Sequence, residues 1–232
     1  MRINLFISLY HINDTDRKME IDSCLQHNLK IKQFDKIICF DEGFDWNTID
    51  KNLVEIIEVN QRPTFASIEK YFKQDEINVI SNNDIMFNST IKKLERFFFS
   101  KATFVALTRI ESDGTLFRKE KEDSQDVWAY FGNNNILKNC DFHLGLLGCD
   151  SRVIYEAWTK NYIIVNPSKS IQCMHIHDCN IRSYTQESRV AGPYLFIRPT
   201  TVVESLCKIL LYKLIMKFIK INIMPMYKIK TF

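Results

Sequence analysis

The chain has 232 residues, of which 46% are hydrophobic and 25% are charged, and its formal net charge is +3 at pH 7. These values are ordinary for a soluble globular protein with one sizeable domain, and the length leaves room for an appended segment. The small net charge argues against a nucleic-acid partner, since the body of the chain has no basic tract interleaved with aromatic residues.

Seven cysteines are scattered along the chain without a C-x-x-C pair. This pattern is more typical of reduced thiols in the cytosol than of a disulfide framework. Residues 1–10 contain one basic residue and a short apolar run interrupted by Asn4, and they predict a first core strand rather than a signal peptide. We therefore expect a cytoplasmic protein.

The first ninety residues alternate short apolar runs with amphipathic segments. Strands are predicted at residues 3–9, 36–40, 54–59 and 77–80, and helices at residues 17–29 and 65–72. Such alternation is typical of βαβ units. The sequence therefore predicts an α/β fold, with a mostly parallel sheet flanked by helices.

Polar residues follow each of these strands. Right-handed crossovers place the four strand-ending loops at one edge of the sheet, which is where open α/β sheets bind ligands. Taken singly, each residue is better explained as an ordinary surface side chain, but together they suit a nucleotide, its phosphates and a metal. The candidates at this edge are Tyr10, Asn13, Arg17, Asp41, Arg62, Asn82, Asn83 and Asp84.

The strand at 77–80 stops abruptly at residues 81–84, SNND, before the chain turns apolar again. One interpretation is a ligand-binding rim; the other is a solvated loop that leads to a helix capped by Asn88 or Ser89. The chain has neither G-x-G-x-x-G after the first strand nor G-x-x-x-x-G-K-[ST] anywhere. Dinucleotide oxidoreductases and P-loop NTPases are therefore disfavoured, and phosphate would have to be held by metal and side chains.

The second half of the body continues the pattern. A helical segment at 91–99 precedes a strand at 103–109 that ends in Arg109, a charged loop follows at 111–123, and another strand is predicted at 124–132. Asp126, at the start of that strand, either positions a hydroxylated ligand or caps local structure. Asp150 opens a helix and either caps it or accepts a proton from an incoming hydroxyl.

Residues 173–179, CMHIHDC, follow a strand predicted at 162–165. The spacing argues against a zinc site, because alternate residues of a strand would spread four ligands over about 20 Å, whereas one ion needs them about 2 Å away. His175 or His177 could still be a single ligand to a metal that is held elsewhere. A pair of core or surface histidines is the alternative.

The C-terminal segment differs in charge from the rest of the chain. No acidic residue follows Glu204, and lysines alternate there with Leu, Ile, Met and Phe. At helical spacing, a stripe of Lys213, Lys217 and Lys220 is expected opposite Leu210, Leu214 and Phe218. Two interpretations remain: a basic amphipathic helix on an anionic membrane surface, or a helix packed on the domain or on a second subunit.

These residues together resemble the GT-A fold glycosyltransferases, and most of all a small group of bacterial and viral polysaccharide transferases. The resemblance runs from residue 3 to about residue 199. Its marks are SNNDI at 81–85 in place of the metal-binding D-x-D, LTR at 107–109, SQDVW at 124–128, GCDSR at 148–152, and NPS at 166–168 followed by His175-x-His177.

The resemblance implies transfer of a sugar from a nucleoside diphosphate donor, of the UDP, dTDP or GDP type, to an acceptor hydroxyl, with Mn²⁺ or Mg²⁺ bridging the diphosphate. It places Asp84 at the carboxylate that ends D-x-D and Asn82 where the first Asp would stand, which weakens the expected metal site. His175 or His177 would complete the metal shell.

For an inverting enzyme, the resemblance makes Asp150 the base that deprotonates the acceptor, with Asp126 as the second candidate. Arg17, Arg62 and Arg109 are the candidates for diphosphate contact. The acceptor would be a glycan or a lipid-linked sugar in surface polysaccharide or lipopolysaccharide synthesis, on the inner face of the membrane if the tail binds there.

Two other functions remain open. A non-catalytic nucleotide-sugar-binding module of the same fold is favoured by Asn82, and a sugar nucleotidyltransferase is disfavoured by the missing Gly-rich loop. The expected organisation is a GT-A-like domain at 1–199, with a nucleotide-binding half at 1–90 and an acceptor half at 91–199, and a basic amphipathic tail at 200–232.

Overall fold

The structure is a computed structural model that describes residues 1–111, 113–117, 124–176, 188–219 and 228–230; at 217–219 and 228–230 it describes the backbone alone. Its strands are β1 (Ile3–Tyr10), β2 (Lys36–Glu42), β3 (Glu55–Glu58), β4 (Ile77–Ser81), β5 (Ile85–Phe87), β6 (Thr103–Leu107), β7 (Val127–Phe131), β8 (Ile163–Val165), β9 (Cys173–His175), β10 (Tyr194–Phe196) and β11 (Lys228–Lys230). Its α-helices are α1 (Thr15–Lys30), α2 (Phe65–Glu69), α3 (Cys149–Thr159) and α4 (Val202–Ile219).

Seven strands form the central sheet, in the order β3-β2-β1-β4-β7-β6-β8. β1 pairs in parallel with β2 and β4, β2 with β3, and β6 with β8. β7 runs antiparallel to both of its neighbours. The predicted α/β class with a mostly parallel sheet is therefore confirmed, and the four strands of the first ninety residues do end at one edge.

The central strands of the sheet are buried on both faces, as the apolar runs predicted, whereas the edge strand β3 is partly exposed. Every residue of β4, β6 and β7 is buried, and Phe6, Phe72, Tyr130 and Phe104 form a chain of ring contacts through the core. This rigid interior fixes the positions of the residues that follow the strands.

Two predicted helices differ from the observed ones. The helix expected at 65–72 is α2, which ends at Glu69 because the next backbone bonds run from residue i to i−3 and tighten the chain into turns. The helix expected at 91–99 is a 3₁₀ helix, Ser89–Arg96, and another 3₁₀ helix spans Lys51–Leu53. Asn88 caps the former, since its side chain accepts a hydrogen bond from the Thr90 backbone amide at 2.9 Å.

β7 matters most for the site because of its direction. Because β7 runs antiparallel to β4 and β6, it starts at the edge of the sheet where those two strands end. Asp126 precedes β7, and its backbone accepts a hydrogen bond from the Asn82 amide at 3.1 Å. The residues after β4 and β6 and the residue before β7 therefore meet at one edge of the sheet.

A small second sheet extends this edge. β5 pairs antiparallel with β9, and Ile85 lies opposite His175. Asn28 of α1 holds β5 through two hydrogen bonds, from its Nδ2 to the Ile85 carbonyl at 2.8 Å and from the Phe87 amide to its Oδ1 at 3.0 Å. This arrangement brings α1, the residue before β5 and the end of β9 together.

α4 packs on the domain at the β8 side of the sheet. Val202 and Ile209 belong to the hydrophobic core, and Lys208 Nζ donates to the Ile164 carbonyl at 2.9 Å. β11 pairs antiparallel with β10. Among the helices of the described residues, we find none with the length and apolar character needed to cross a membrane.

Candidate functional site

Asp84 is the centre of the first charged group at the sheet edge. Its Oδ2 accepts a hydrogen bond from Arg17 Nη2 at 2.6 Å and lies 3.3 Å from His175 Nε2. Arg17 Nη1 also donates to Glu20 Oε2 at 2.8 Å. The pairing of β5 with β9 places His175 here, because Asp84 directly precedes β5 and its carbonyl accepts from the Ile176 amide at 2.9 Å.

The pKa of Asp84 is set by these neighbours. Burial by itself raises the pKa of a carboxyl group, but contact with His175 and the ion pair with Arg17 hold the pKa of Asp84 well below its ordinary value. Burial by itself would lower the pKa of Arg17. The negative charge of Asp84 and the hydrogen bonds to Asp84 and Glu20 outweigh burial, so the pKa of Arg17 lies above its ordinary value. The ionised form of Asp84 is therefore favoured by its surroundings.

Asp126 is the centre of the second group. Its Oδ1 accepts hydrogen bonds from Asn82 Nδ2 at 2.9 Å and from Arg109 Nη1 at 3.2 Å. Its Oδ2 is buried and has no hydrogen-bond partner among the described residues. Arg109 divides its guanidinium between Asp126 and Glu111, whose Oε1 accepts from Nε at 3.0 Å, and it stacks over the Phe117 ring at 4.0 Å.

The pKa of Asp126 moves in the opposite direction from that of Asp84. Burial raises it above its ordinary value, with a further contribution from Asp84, and the opposing effects of Arg109 and His175 are smaller. Glu111 links the two groups, because its Oε2 lies 3.9 Å from His175 Nδ1. A continuous chain of polar contacts thus runs from Glu20 through the two groups to Asp126.

The loops after β1 and β3 meet beside α3. The Arg62 guanidinium lies 5.1 Å from the centre of the Tyr10 ring, and the Arg62 carbonyl accepts from His143 Nδ1 at 2.6 Å. Gly145 has a positive φ, and a Cβ at this position would lie 3.7 Å from Arg62 Nη1. The structure therefore brings Tyr10 and Arg62 together next to the loop that contains Gly145.

Three other residues that the sequence predicts to contact a nucleotide form hydrogen bonds with nearby groups of the protein itself. The Asp41 carboxylate holds its own loop, accepting from the Gly43 and Phe44 amides at 2.8 and 2.6 Å and from Trp46 Nε1 at 2.7 Å. Asn83 Nδ2 donates to the carbonyl of Ser8 at 2.9 Å, and exposed Asn13 contacts His11 at 2.8 Å. Asp41 and Asn83 therefore shape the rim of the site.

Asp150 lies in the first turn of α3, as the sequence predicted, and follows Gly148 at the N-cap. Its Oδ2 is 3.4 Å from the backbone amide of Gln125, so it is close to the start of β7. Asp150 is partly exposed, whereas Asp126 is buried. Of the two candidate bases, Asp150 is therefore the more accessible from solvent.

Asp84 and His175 are the residues that could hold a divalent cation, since their oxygen and nitrogen atoms are adjacent. No group of three or more His, Cys, Asp or Glu side chains suited to a metal occurs within the described part of the chain. Asn82 directs its amide nitrogen to Asp126, and His177 lies outside the described residues. The donor set fits a cation that takes two ligands from the protein and the rest from phosphate and water.

Sequence reasoning did not assign roles to Glu20 and Glu111, yet each holds an arginine of the site. Spacing was the available signal. Glu20 is three residues after Arg17 on a helix, and Glu111 is two residues after Arg109, so each pair lies on one side of its segment.

No model of a known protein family matches the sequence, and no curated protein matches it. Solved structures match its fold. S. aureus TarS 1–349, solved in complex with UDP-GlcNAc, is 13% identical, and the match covers 78% of this chain and 60% of TarS 1–349 with a TM-score of 0.55. The mannosyltransferase PcManGT from Pyrobaculum calidifontis, solved with GDP-Man and Mn²⁺, is 12% identical, and the match covers 77% of this chain and 58% of that protein with a TM-score of 0.52. This chain thus spans about three fifths of each.

Proposed function

Because the chain has the GT-A fold that its sequence resemblance predicted, we propose that it is a glycosyltransferase that moves a sugar from a nucleoside diphosphate donor to an acceptor hydroxyl. We further propose inversion at the sugar carbon, assistance by a divalent cation, and an acceptor of the glycan or lipid-linked class used in surface polysaccharide or lipopolysaccharide synthesis.

One observation carries the proposal: the charged groups of Asp84 and Asp126 lie side by side at the carboxyl edge of the sheet. A folded protein does not need this cluster for stability, because burying paired charges is costly compared with apolar packing. Ligands of open α/β sheets bind at this edge. A charged cluster there is well suited to a diphosphate and its cation.

Donor binding is assigned to side chains, since the chain has no glycine-rich phosphate loop. Arg17 and Arg109 supply positive charge at the sheet edge, and both are already oriented by carboxylates. Tyr10 and Arg62 form the neighbouring wall, where a planar ring and a guanidinium suit a nucleotide base and phosphate. Diphosphate would replace a carboxylate as the partner of one arginine.

Asp84 and His175 would hold Mn²⁺ or Mg²⁺, which, when bound, offsets the charge that develops on the leaving diphosphate. The Oδ2 atom of Asp84 is also the atom that Arg17 holds at 2.6 Å. We therefore expect the cation and the Arg17 guanidinium to compete for Asp84, and the affinity for free metal ions to be weak.

Asp150 is the base that takes the proton from the acceptor hydroxyl. It lies in the first turn of α3, near the positive end of the helix dipole. Asp126 serves as a positioning residue: it orients Arg109 and Asn82 through its Oδ1.

The test is release of nucleoside diphosphate from a panel of UDP, dTDP and GDP sugars with Mn²⁺, for the wild type, Asp150→Asn and the matched control Asp141→Asn in an exposed neighbouring position. We expect Asp150→Asn to lower kcat on the order of a hundredfold at unchanged donor affinity, since a general base contributes about that much. Asp141→Asn should match the wild type. Absence of turnover with every donor would contradict the proposal.

A second candidate is a nucleotide-sugar-binding module without catalysis, favoured by the Arg17 ion pair on Asp84 and by Asn82 in place of a carboxylate. Calorimetry distinguishes the two. Donor affinity that is unaffected by a chelator, together with the absence of hydrolysis or transfer, would favour the module.

A further inference from the structure

α4 presents apolar side chains on two opposite sides. On one side, Val202, Ser205 and Ile209 are buried against the domain. Lys208 also faces the protein, and burial lowers its pKa to about 8. This packed side accounts for the attachment of the helix, so the other side is available for a different purpose.

The exposed side carries a second apolar surface, which we call the α4 stripe and which consists of Val203, Cys207, Leu210, Leu211 and Leu214. Val203 is 69% exposed, Leu210 and Leu211 are each 57% exposed, and Leu214 is 52% exposed. Positions 203, 207, 210 and 214 are separated by four, three and four residues, so they follow one side of the helix. Single exposed leucines are common, but a continuous stripe indicates a binding surface.

Charge identifies the kind of surface that fits the stripe. Six of the 31 basic residues and none of the 28 acidic residues come after Glu204, so residues 205–232 carry a formal charge of +6 and residues 1–204 carry −3. Two copies of the chain joined through their α4 stripes would bring two basic segments together. An anionic surface would instead attract this segment and repel the body of the protein.

We propose that the α4 stripe inserts into the interface of an anionic lipid membrane, with α4 lying along the surface. Leucine and valine side chains enter the boundary between headgroups and acyl chains, and the excess positive charge of residues 205–232 attracts the anionic headgroups. The domain then stays attached to α4 through its packed side. This contact goes beyond the proposed transfer reaction and does not depend on it.

The experiment measures how much of the full chain sediments with lipid vesicles in the absence of nucleotide sugar. The vesicles consist of phosphatidylcholine alone or of phosphatidylcholine mixed with anionic phosphatidylglycerol. We expect the wild type to bind the anionic vesicles only. Leu210→Gln/Leu214→Gln should weaken that binding by about tenfold or more, through the loss of buried apolar area. Lys213→Gln should weaken it by about fivefold, the effect of one lysine near an anionic surface.

The control is Met19→Gln/Leu53→Gln, which removes two side chains that are 61% and 60% exposed and lie elsewhere on the protein. It should bind like the wild type, and the thermal unfolding of all variants should be similar because every substituted side chain is exposed. Equal vesicle binding by wild type and Leu210→Gln/Leu214→Gln would overturn the proposal. A dimer in light scattering that this variant dissociates, without vesicle binding, would overturn it in favour of self-association.

Discussion

Asp84 and Asp126 are both buried at the same sheet edge, and both are paired with an arginine, yet their pKa values are shifted in opposite directions. The pKa of Asp84 is lowered, because one oxygen has Arg17 at 2.6 Å and His175 at 3.3 Å. The pKa of Asp126 is raised by burial, which is not offset by Arg109, because Arg109 is 3.2 Å away and is shared with Glu111. The number and closeness of partners decide the outcome, since burial is common to both.

The difference separates two tasks. A carboxylate that keeps its charge when buried suits a cation or an orienting ion pair, and Asp84 has that property. A buried carboxyl group whose charged form is disfavoured is better suited to orienting its neighbours, and Asp126 has that property. The residue type and its burial alone would not have distinguished them.

The largest effect should follow Asp84→Asn. The substitution removes the negative charge that Arg17 and His175 face. Because breaking a buried ion pair is strongly destabilising, we expect the free energy of unfolding to fall by about 3 kcal/mol. We also expect donor affinity in the presence of Mn²⁺ to fall on the order of a hundredfold. Urea unfolding and calorimetry measure the two effects. Wild-type donor affinity in a folded variant would remove Asp84 from the site.

Lys208 extends the comparison to a cation. Burial lowers its pKa from 10.5 to about 8, whereas for Arg17 the carboxylates reverse the effect of burial. Below pH 8 both the folded and the unfolded states hold the proton, so the penalty for the buried charge is present in full. Between pH 8 and pH 10.5 the unfolded state binds more protons, and the free energy of unfolding rises with pH.

We therefore expect the free energy of unfolding of the wild type, relative to Lys208→Met, to increase by about 2 kcal/mol between pH 7 and pH 10. Chemical denaturation at a series of pH values measures it. Lys213→Met, which replaces an exposed lysine of the same helix, is the control and should track the wild type in its pH dependence. A difference between Lys208→Met and wild type that does not change with pH would show that Lys208 stays charged in the folded state.

Much of the first half of the fold could be predicted from the sequence, because strand and helix patterns are local. Parallel β1 to β4 and the shared edge follow from them, and a cap at Asn88 or Ser89 is one of the two interpretations that the local pattern leaves open. The direction of β7 could not be predicted, since it depends on pairing with β4 and β6 rather than on its own residues. That direction is what brings Asp126 to Asn82 and Arg109, and so the second charged group was not anticipated.

Asn82→Asp tests why the chain departs from D-x-D. Asn82 Nδ2 donates to Asp126 Oδ1 at 2.9 Å, so a carboxylate at position 82 would face a second carboxyl group. We expect the substitution to lower the free energy of unfolding by about 1.5 kcal/mol at neutral pH, because it removes a hydrogen bond and brings two like charges together. Asn83→Asp, which loses a bond to a backbone carbonyl without facing Asp126, is the comparison. An undiminished unfolding midpoint for Asn82→Asp would mean that Asp126 does not restrict position 82.

The smallest effect should follow Asp126→Asn, the counterpart of Asp84→Asn. Asparagine keeps an oxygen that can accept from Asn82 and Arg109, and Arg109 retains Glu111 as its charged partner at 3.0 Å. The lost charge was one that burial disfavoured. We expect a cost of about 1 kcal/mol in urea unfolding and donor affinity within a few-fold of the wild type. If Asp126→Asn were instead as damaging as Asp84→Asn, the two carboxyl groups would have the same task, and the opposite directions of their pKa shifts would not reflect a division of roles.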